Sequence, residues 1–162
     1  MNHIVIDFEF TPIDKYYKHQ RNIIKNEIIE FGAVKLNEQY QVVDEFSAFV
    51  KPEYSKKIDN YCSFLTGITD FDLSTAPTFA EVTELFLEWV GEDDYELYAW
   101  SEHDCKQFCG ECKLKNMCER FSSMCQREWI DLQLIYIDVV GISKAISLER
   151  ALNSLNILYF LI

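Results

Sequence analysis

His3-Ile4-Val5-Ile6-Asp7-Phe8-Glu9-Phe10 is the stretch whose reading decides the fold. Ile4, Ile6, Phe8 and Phe10 alternate with the other positions, which is the two-residue period of a β-strand. Asp7 and Glu9, two apart, then share one face of that strand. Two carboxylates flanked by Ile6, Phe8 and Phe10 are costly to bury unpaired. A metal ion held at the sheet surface would remove the cost. An edge strand whose polar face meets water would remove it equally well, so the Asp-x-Glu pair alone does not choose.

Working outward, residues 12–26 are polar and lysine-rich and read as a loop. Residues 27–36 and 42–50 read as two further strands, joined by a short hairpin connection at Asn37-Glu38-Gln39-Tyr40. Pro52 ends the third strand. Cys62 to Leu65 reads as a short helical turn, and Thr66-Gly67-Ile68-Thr69-Asp70 as a loop. Residues 78–90 show helical spacing at Phe79, Val82, Leu85, Phe86 and Trp89, and Thr78 with Glu81 fits a capping box. Residues 96–101 read as a strand and 104–117 as a helix. Trp129 to Leu132 reads as a short strand running into a helix at 132–139, and Ser147 caps a last helix over 147–155. A three-stranded meander followed by alternating helix and strand predicts one α/β domain around a mixed sheet. No internal repeat or low-complexity segment interrupts it.

The 162 residues are enough for one domain with a real core, and 49% apolar with 15% aromatic content argues against disorder. The net charge of −12 argues against a module that coats nucleic acid by phosphate neutralisation alone. It does not exclude a nuclease, because clustered carboxylates can hold cations that in turn face phosphates. No apolar run reaches the roughly 18–20 residues of a membrane span. The N-terminal residues lack the pattern of an export signal. The expectation is a cytoplasmic protein, with Cys62, Cys105, Cys109, Cys112, Cys118 and Cys125 as reduced thiols.

Asp104 follows a second apolar strand, Leu97-Tyr98-Ala99-Trp100, where strand gives way to helix; taken alone it reads as a helix cap. Taken together, four separated stretches are specific: Asp7-Phe8-Glu9-Phe10-Thr11, Glu27-Ile28-Ile29-Glu30-Phe31-Gly32-Ala33-Val34, Leu65-Thr66-Gly67-Ile68-Thr69 and Ala99-Trp100-Ser101-Glu102-His103-Asp104. In order and spacing they resemble the DEDD (DEDDh-type) 3′–5′ exonuclease superfamily, from about residue 3 to about residue 157. The resemblance is greatest to the KapD-like branch, whose eukaryotic relatives trim histone messages and small RNAs.

That resemblance implies a ribonuclease-H-like mixed sheet flanked by helices, and phosphodiester hydrolysis at the 3′ end of a single strand, RNA before DNA. It implies Asp7, Glu9 and Asp104 as catalytic metal ligands for two Mg²⁺ or Mn²⁺ ions, Asp7 bridging them. Two ions about 4 Å apart stabilise both the attacking and the leaving oxygen. Phe10, Leu65 and Thr66 match positions that touch the terminal nucleotide in relatives; core packing is their alternative.

The last motif of the superfamily is a histidine followed about five residues later by an aspartate, after a helix that here matches Leu148-Glu149-Arg150-Ala151-Leu152. The histidine is the expected general base and the aspartate the fourth ligand. Here the chain reads Asn156-Ile157-Leu158-Tyr159-Phe160-Leu161-Ile162, with no histidine after His103. The expectation is a single exonuclease domain over 1–162, C-terminally truncated after about residue 157, impaired in activity and exposing apolar surface around Trp100, Leu148 and Leu152. A short protein whose tail packs as a last strand is the alternative.

Cys105, Cys109 and Cys112 have the spacing of an iron–sulfur motif, and with Cys118 and Cys125 there are ligands enough for zinc. The same spacing places three thiols on one helix face beside Phe108. Three functions therefore compete: a metal-dependent exonuclease, a non-catalytic nucleic-acid- or protein-binding remnant of that fold, and an unrelated cysteine metalloprotein.

Overall fold

The structure, a computed structural model, describes residues 1–157. The chain opens with β1 (Asn2–Pro12), passes through one short helix, α1 (Gln20–Ile23), and returns in β2 (Asn26–Leu36) and β3 (Val42–Phe49). Helices α2 (Asn60–Thr66), α3 (Asp70–Ser74) and α4 (Phe79–Val90) lead to β4 (Tyr95–Ala99). Then come α5 (Glu102–Leu114), α6 (Ser122–Cys125), β5 (Trp129–Asp131), α7 (Leu132–Val140) and α8 (Leu148–Ser154). The strands lie in the order β3-β2-β1-β4-β5. β1, β2 and β3 form an antiparallel meander, and β4 and β5 continue the sheet in parallel with β1. This is the mixed α/β sheet that the sequence predicts.

Alternation along β1 turns Ile4, Ile6 and Phe8 into the core and leaves Asp7 and Glu9 on the other face. Phe8 meets Phe31 of β2 with ring centroids 4.5 Å apart, Phe31 meets Phe86 of α4 at 5.9 Å, and Phe79 meets Phe108 of α5 at 5.5 Å. These are favourable aromatic separations. The predicted capping box starts α4: Thr78 N donates to Glu81 Oε2 at 2.7 Å, and Glu81 N to Thr78 Oγ1 at 3.4 Å. In the β2–β3 hairpin Asn37 Oδ1 accepts from Gln39 N and Gln41 N, both at 3.0 Å, while Tyr40 takes the left-handed backbone at φ 56°. β3 is an edge strand, with Val42 and Val43 exposed.

Three departures from the sequence reading involve short elements. Residues 12–26 hold α1 as well as loop. Thr69 caps α3 through a box with Asp72, so the expected 66–70 loop is only the break between two helices, with Gly67 at φ 75°. The α6 turn was not foreseen. Helices of four or five residues carry too little periodicity to be read. Trp100, Leu148 and Leu152 are half-buried rather than exposed. Trp100 Nε1 and Gln133 Nε2 both donate to Ile146 O, at 3.2 and 2.8 Å, and so hold the segment before α8. The closing run, expected as a truncated end or a last strand, lies outside the described residues from 158 onward.

Glu27 is fully buried and ties the sheet to the segment after β3. It accepts from Glu53 N and Tyr54 N, both at 2.8 Å, and from Ser55 Oγ at 2.9 Å. Lys115 Nζ, 3.4 Å from Glu27, also approaches Glu111, whose Oε2 accepts from Ile28 N at 2.9 Å. Burial raises the Glu111 carboxyl to about 8, with the Lys115 charge and the Ile28 N–H opposing. A folded value above the ordinary 4.5 favours folding in acid, and that stability is lost as pH rises from about 4.5 to about 8. Glu111→Gln should therefore flatten the fall in urea-unfolding stability between about pH 5 and pH 8.5; an undiminished fall would contradict this. Glu111→Ala leaves the Ile28 N–H without an acceptor and should cost about 1–3 kcal/mol.

Candidate active site

β1 has β4 as a neighbour only from Asn2 to Val5. Further along, the Phe8 N–H donates to Asp104 Oδ1 at 3.2 Å, across from α5. Asp104 is not the cap of its helix. Ser101 is, its Oγ accepting from His103 N at 3.3 Å, so the buried Asp104 carboxylate is free to reach β1. β1 is central in the sheet, but at Asp7 and Glu9 it is paired with β2 alone, and Asp7 is exposed.

A bulge interrupts the β1–β2 ladder immediately after Glu9: Glu9 opposes Glu30, but Phe10 opposes Ile28. Bulges bend a strand and re-aim its side chains. α2 docks on this bend, with Cys62 Sγ donating to Phe10 O at 2.9 Å and Asp59 N to Thr11 Oγ1 at 3.1 Å. Phe10 is half-buried against the core, Leu65 is exposed on α2, and Thr66 Oγ1 donates to Cys62 O at 2.9 Å. Core packing therefore accounts for part of Phe10 and for none of Leu65.

The electrostatics single out the same place. Loss of hydration, then the charges of Asp7, Glu30 and Asp104, push Glu9 up to about 7. Loss of hydration, then Asp7, push Asp104 up to about 7 against the Phe8 N–H. Asp7 is raised by loss of hydration and by Glu30. Glu30, quoted in the sequence only as part of a motif, is thus a member of the cluster; Ser47 Oγ donates to its Oε1 at 3.0 Å. Its place opposite Glu9 is set by the β1–β2 register, across a connection that holds α1, and leaves no signal in the sequence. Asp7, Glu9, Glu30 and Ser47 line a groove of roughly 620 Å³ on the open face of the sheet.

Carboxylates that raise one another fit a hard divalent cation, which takes oxygen donors. Among the described residues, no three His, Cys, Asp or Glu side chains converge closely enough to enclose an ion. The carboxylates share one field without forming a cage, as suits an ion that keeps several of its waters. His103 turns to Ser101, with Nδ1 and Oγ 2.9 Å apart.

The cysteines divide. Cys112 and Phe108 are in the core, Cys105 and Cys109 are half-buried, and Cys109 Sγ donates weakly to Cys125 O of α6 at 3.9 Å. A hydrogen bond from the Cys105 thiol brings Cys109 down to about 6, while burial pushes Cys112 up.

Glu9→Gln removes a repelling charge and should raise the melting midpoint by a few degrees at pH 8 in chelator; a lowered midpoint would contradict the mutual repulsion. Brief alkylation at pH 7 followed by mass spectrometry should modify Cys109 and the exposed Cys118 while sparing Cys112. Equal labelling of Cys112 would place it outside the core.

The chain is similar to known proteins. Residues 4–159 match the Exonuclease (RNase_T) family model. The chain is 28% identical over 119 residues to 3′-5′ exoribonuclease 1 of Homo sapiens, covering 68% of this chain and 33% of that protein. It is 29% identical over 138 residues to probable 3′-5′ exonuclease KapD of Bacillus subtilis (strain 168), covering 85% and 64%. It thus spans about a third of the human relative's length and under two thirds of the bacterial one's. The nuclease domain of 3′hExo, a DEDDh family member bound to rAMP, superposes with a TM-score of 0.76 at 24% identity, over 98% of this chain and 80% of that one. E. coli exonuclease I in complex with a dA16 oligonucleotide gives 0.66 at 13% identity, over 98% and 36%. At these identities the two structures speak for the ribonuclease-H-like fold. Matched along nearly its whole length, the chain belongs to the Exonuclease (RNase_T) family.

Proposed function

We propose that this chain is a metal-dependent 3′–5′ exonuclease that removes nucleotides from single-stranded nucleic acid, RNA in preference to DNA. The observation that carries the reading is the field shared by Asp7, Glu9 and Asp104 where β1 leaves β4. RNA is favoured by the human relative's designation as an exoribonuclease and by the rAMP in the solved nuclease domain.

Asp7, Glu9 and Asp104 would hold the cations, Mg²⁺ or Mn²⁺ and two in number. When bound, such ions stabilise charge on the attacking and leaving oxygens. The Phe8 N–H holds Asp104 against β1, so its carboxylate stays beside Asp7. Leu65, exposed on α2, offers the terminal base an apolar contact next to the bend, with Phe10 and Thr66 supporting it. The reading includes a cytoplasmic setting, in which the six thiols stay reduced.

His3 and His103 are engaged elsewhere. His3 is buried, with Nδ1 3.0 Å from Tyr98 Oη, and His103 engages Ser101. Adding a relative's terminal His-x4-Asp helix to these residues is expected to speed hydrolysis. Loss of a general base costs about 10²–10⁴-fold, and loss of a ligand beside it does not simply multiply.

The test uses folded protein, confirmed by circular dichroism, with Mn²⁺ and a 5′-labelled single-stranded RNA. The expected result is shortening from the 3′ end, faster in the extended form, abolished by chelator and by Asp7→Ala. Calorimetry should show weak Mn²⁺ binding that Asp7→Ala removes. If the extended form binds RNA without shortening it, the chain is a binding remnant of the fold and not an enzyme.

A further inference from the structure

Charge is unevenly laid along this acidic chain. Residues 12–25 hold Lys15, Lys18, Arg21 and Lys25 against the single carboxylate of Asp14, and Lys56 and Lys57 adjoin just ahead of α2. The fold brings the two segments together. Asp14 N donates to Tyr54 O at 3.1 Å, Lys56 N donates to Asp14 Oδ2 at 3.2 Å, and the Tyr17 and Tyr54 rings meet edge-on at 5.3 Å. Lys15, Lys18, Lys56 and Lys57 are all exposed, and among the described residues none of them enters an ion pair. Four ammonium groups without an ion pair among the described residues stand out on a protein of net charge −12.

Aromatic rings lie exposed on the same segments. Tyr16 is 78% exposed, beneath the Lys15 ammonium. On α2, Phe64 is 83% exposed, and Leu65 after it is exposed too. A phenylalanine so exposed adds nothing to the core of this domain. α2, which follows Lys56 and Lys57 in the chain, is bonded to the β1 bend next to Glu9.

We propose that Lys15, Lys18, Lys56 and Lys57, with Tyr16 and Phe64, form a track for the part of the single strand that lies 5′ of the nucleotide being removed. Phosphates lie against the ammonium groups and bases stack on the rings, the combination that holds single strands without sequence preference. An acidic polypeptide would satisfy the lysines but has no flat groups for the exposed rings. The proposal rests on the exonuclease reading for which end of the strand reaches Asp7 and Glu9.

Binding is measured by fluorescence anisotropy in chelator, where no hydrolysis occurs, for a labelled twelve-nucleotide single-stranded RNA and for its terminal trinucleotide. The combined Lys15→Ala, Lys18→Ala, Lys56→Ala and Lys57→Ala variant should bind the long RNA at least about tenfold more weakly and the trinucleotide as wild type does. Its salt-dependence slope for the long RNA should fall by about 3, since each phosphate contact on a single strand contributes roughly 0.7. Phe64→Ala should weaken the long RNA roughly fivefold or more, as loss of one stacked base does, with the slope unchanged. If the fourfold variant loses its circular-dichroism signal, the 15/18 and 56/57 pairs are read separately. The proposal is overturned if the variants bind both RNAs as wild type does, if both RNAs weaken equally, or if polyglutamate displaces the long RNA as effectively as unlabelled RNA. A chain that needs these lysines for the long RNA yet never shortens it with Mn²⁺ retains the track and loses the exonuclease reading; shortening without lysine dependence does the reverse.

Discussion

The register of one strand pair governs the site. β1 and β4 run together only through Val5 and Tyr98. An N–H in the interior must find an acceptor, and the Phe8 N–H finds one in Asp104, a side chain from the first turn of α5. That turn is also where a carboxylate is best tolerated, because the helix dipole presents its positive end there. One hydrogen bond thus fixes the α5 start to the sheet and sets a third negative group beside Asp7. Had β4 continued alongside β1, no such opening would exist.

The cluster is held at a cost to the fold. Asp7, Glu9, Glu30 and Asp104 repel one another across the bend, and no ion pair among the described residues includes any of them. The buried group at the start of β2, just past the bulge, is the opposite case. There Glu27 and Glu111 share Lys115, and backbone N–H groups take up the remaining acceptors. The first set has no ion-pair partner among the described residues, and the second already holds the Lys115 ammonium. The contrast separates a site from a structural brace although both are made of acids.

Much of this was legible in the sequence because it is local. Alternation placed β1, and the Thr78–Glu81 box placed the start of α4. Asp7, Glu9 and Asp104 were singled out through a four-motif pattern rather than through physics, since an isolated Asp104 reads as a cap. Ser101 caps that helix instead, which only the structure reveals. Glu30 escaped because its proximity to Glu9 depends on the β1–β2 register, and the bulge after Glu9 leaves no mark in composition. The link from Cys109 to Cys125 joins residues sixteen apart through α6, a turn too short to read.

The edge strand β3 has a consequence for self-association. Its outer rim exposes Val42 and Val43, the kind of flat apolar margin onto which a neighbouring molecule's strand can add. Asp44 and Glu45 follow at once, both exposed, and would bring like charges close together in such a ribbon. While those acids are ionised the margin repels itself, so the guard against sheet extension between molecules is electrostatic and not steric. It weakens in high salt, the condition under which this chain would first be expected to lengthen its sheet from one molecule into the next.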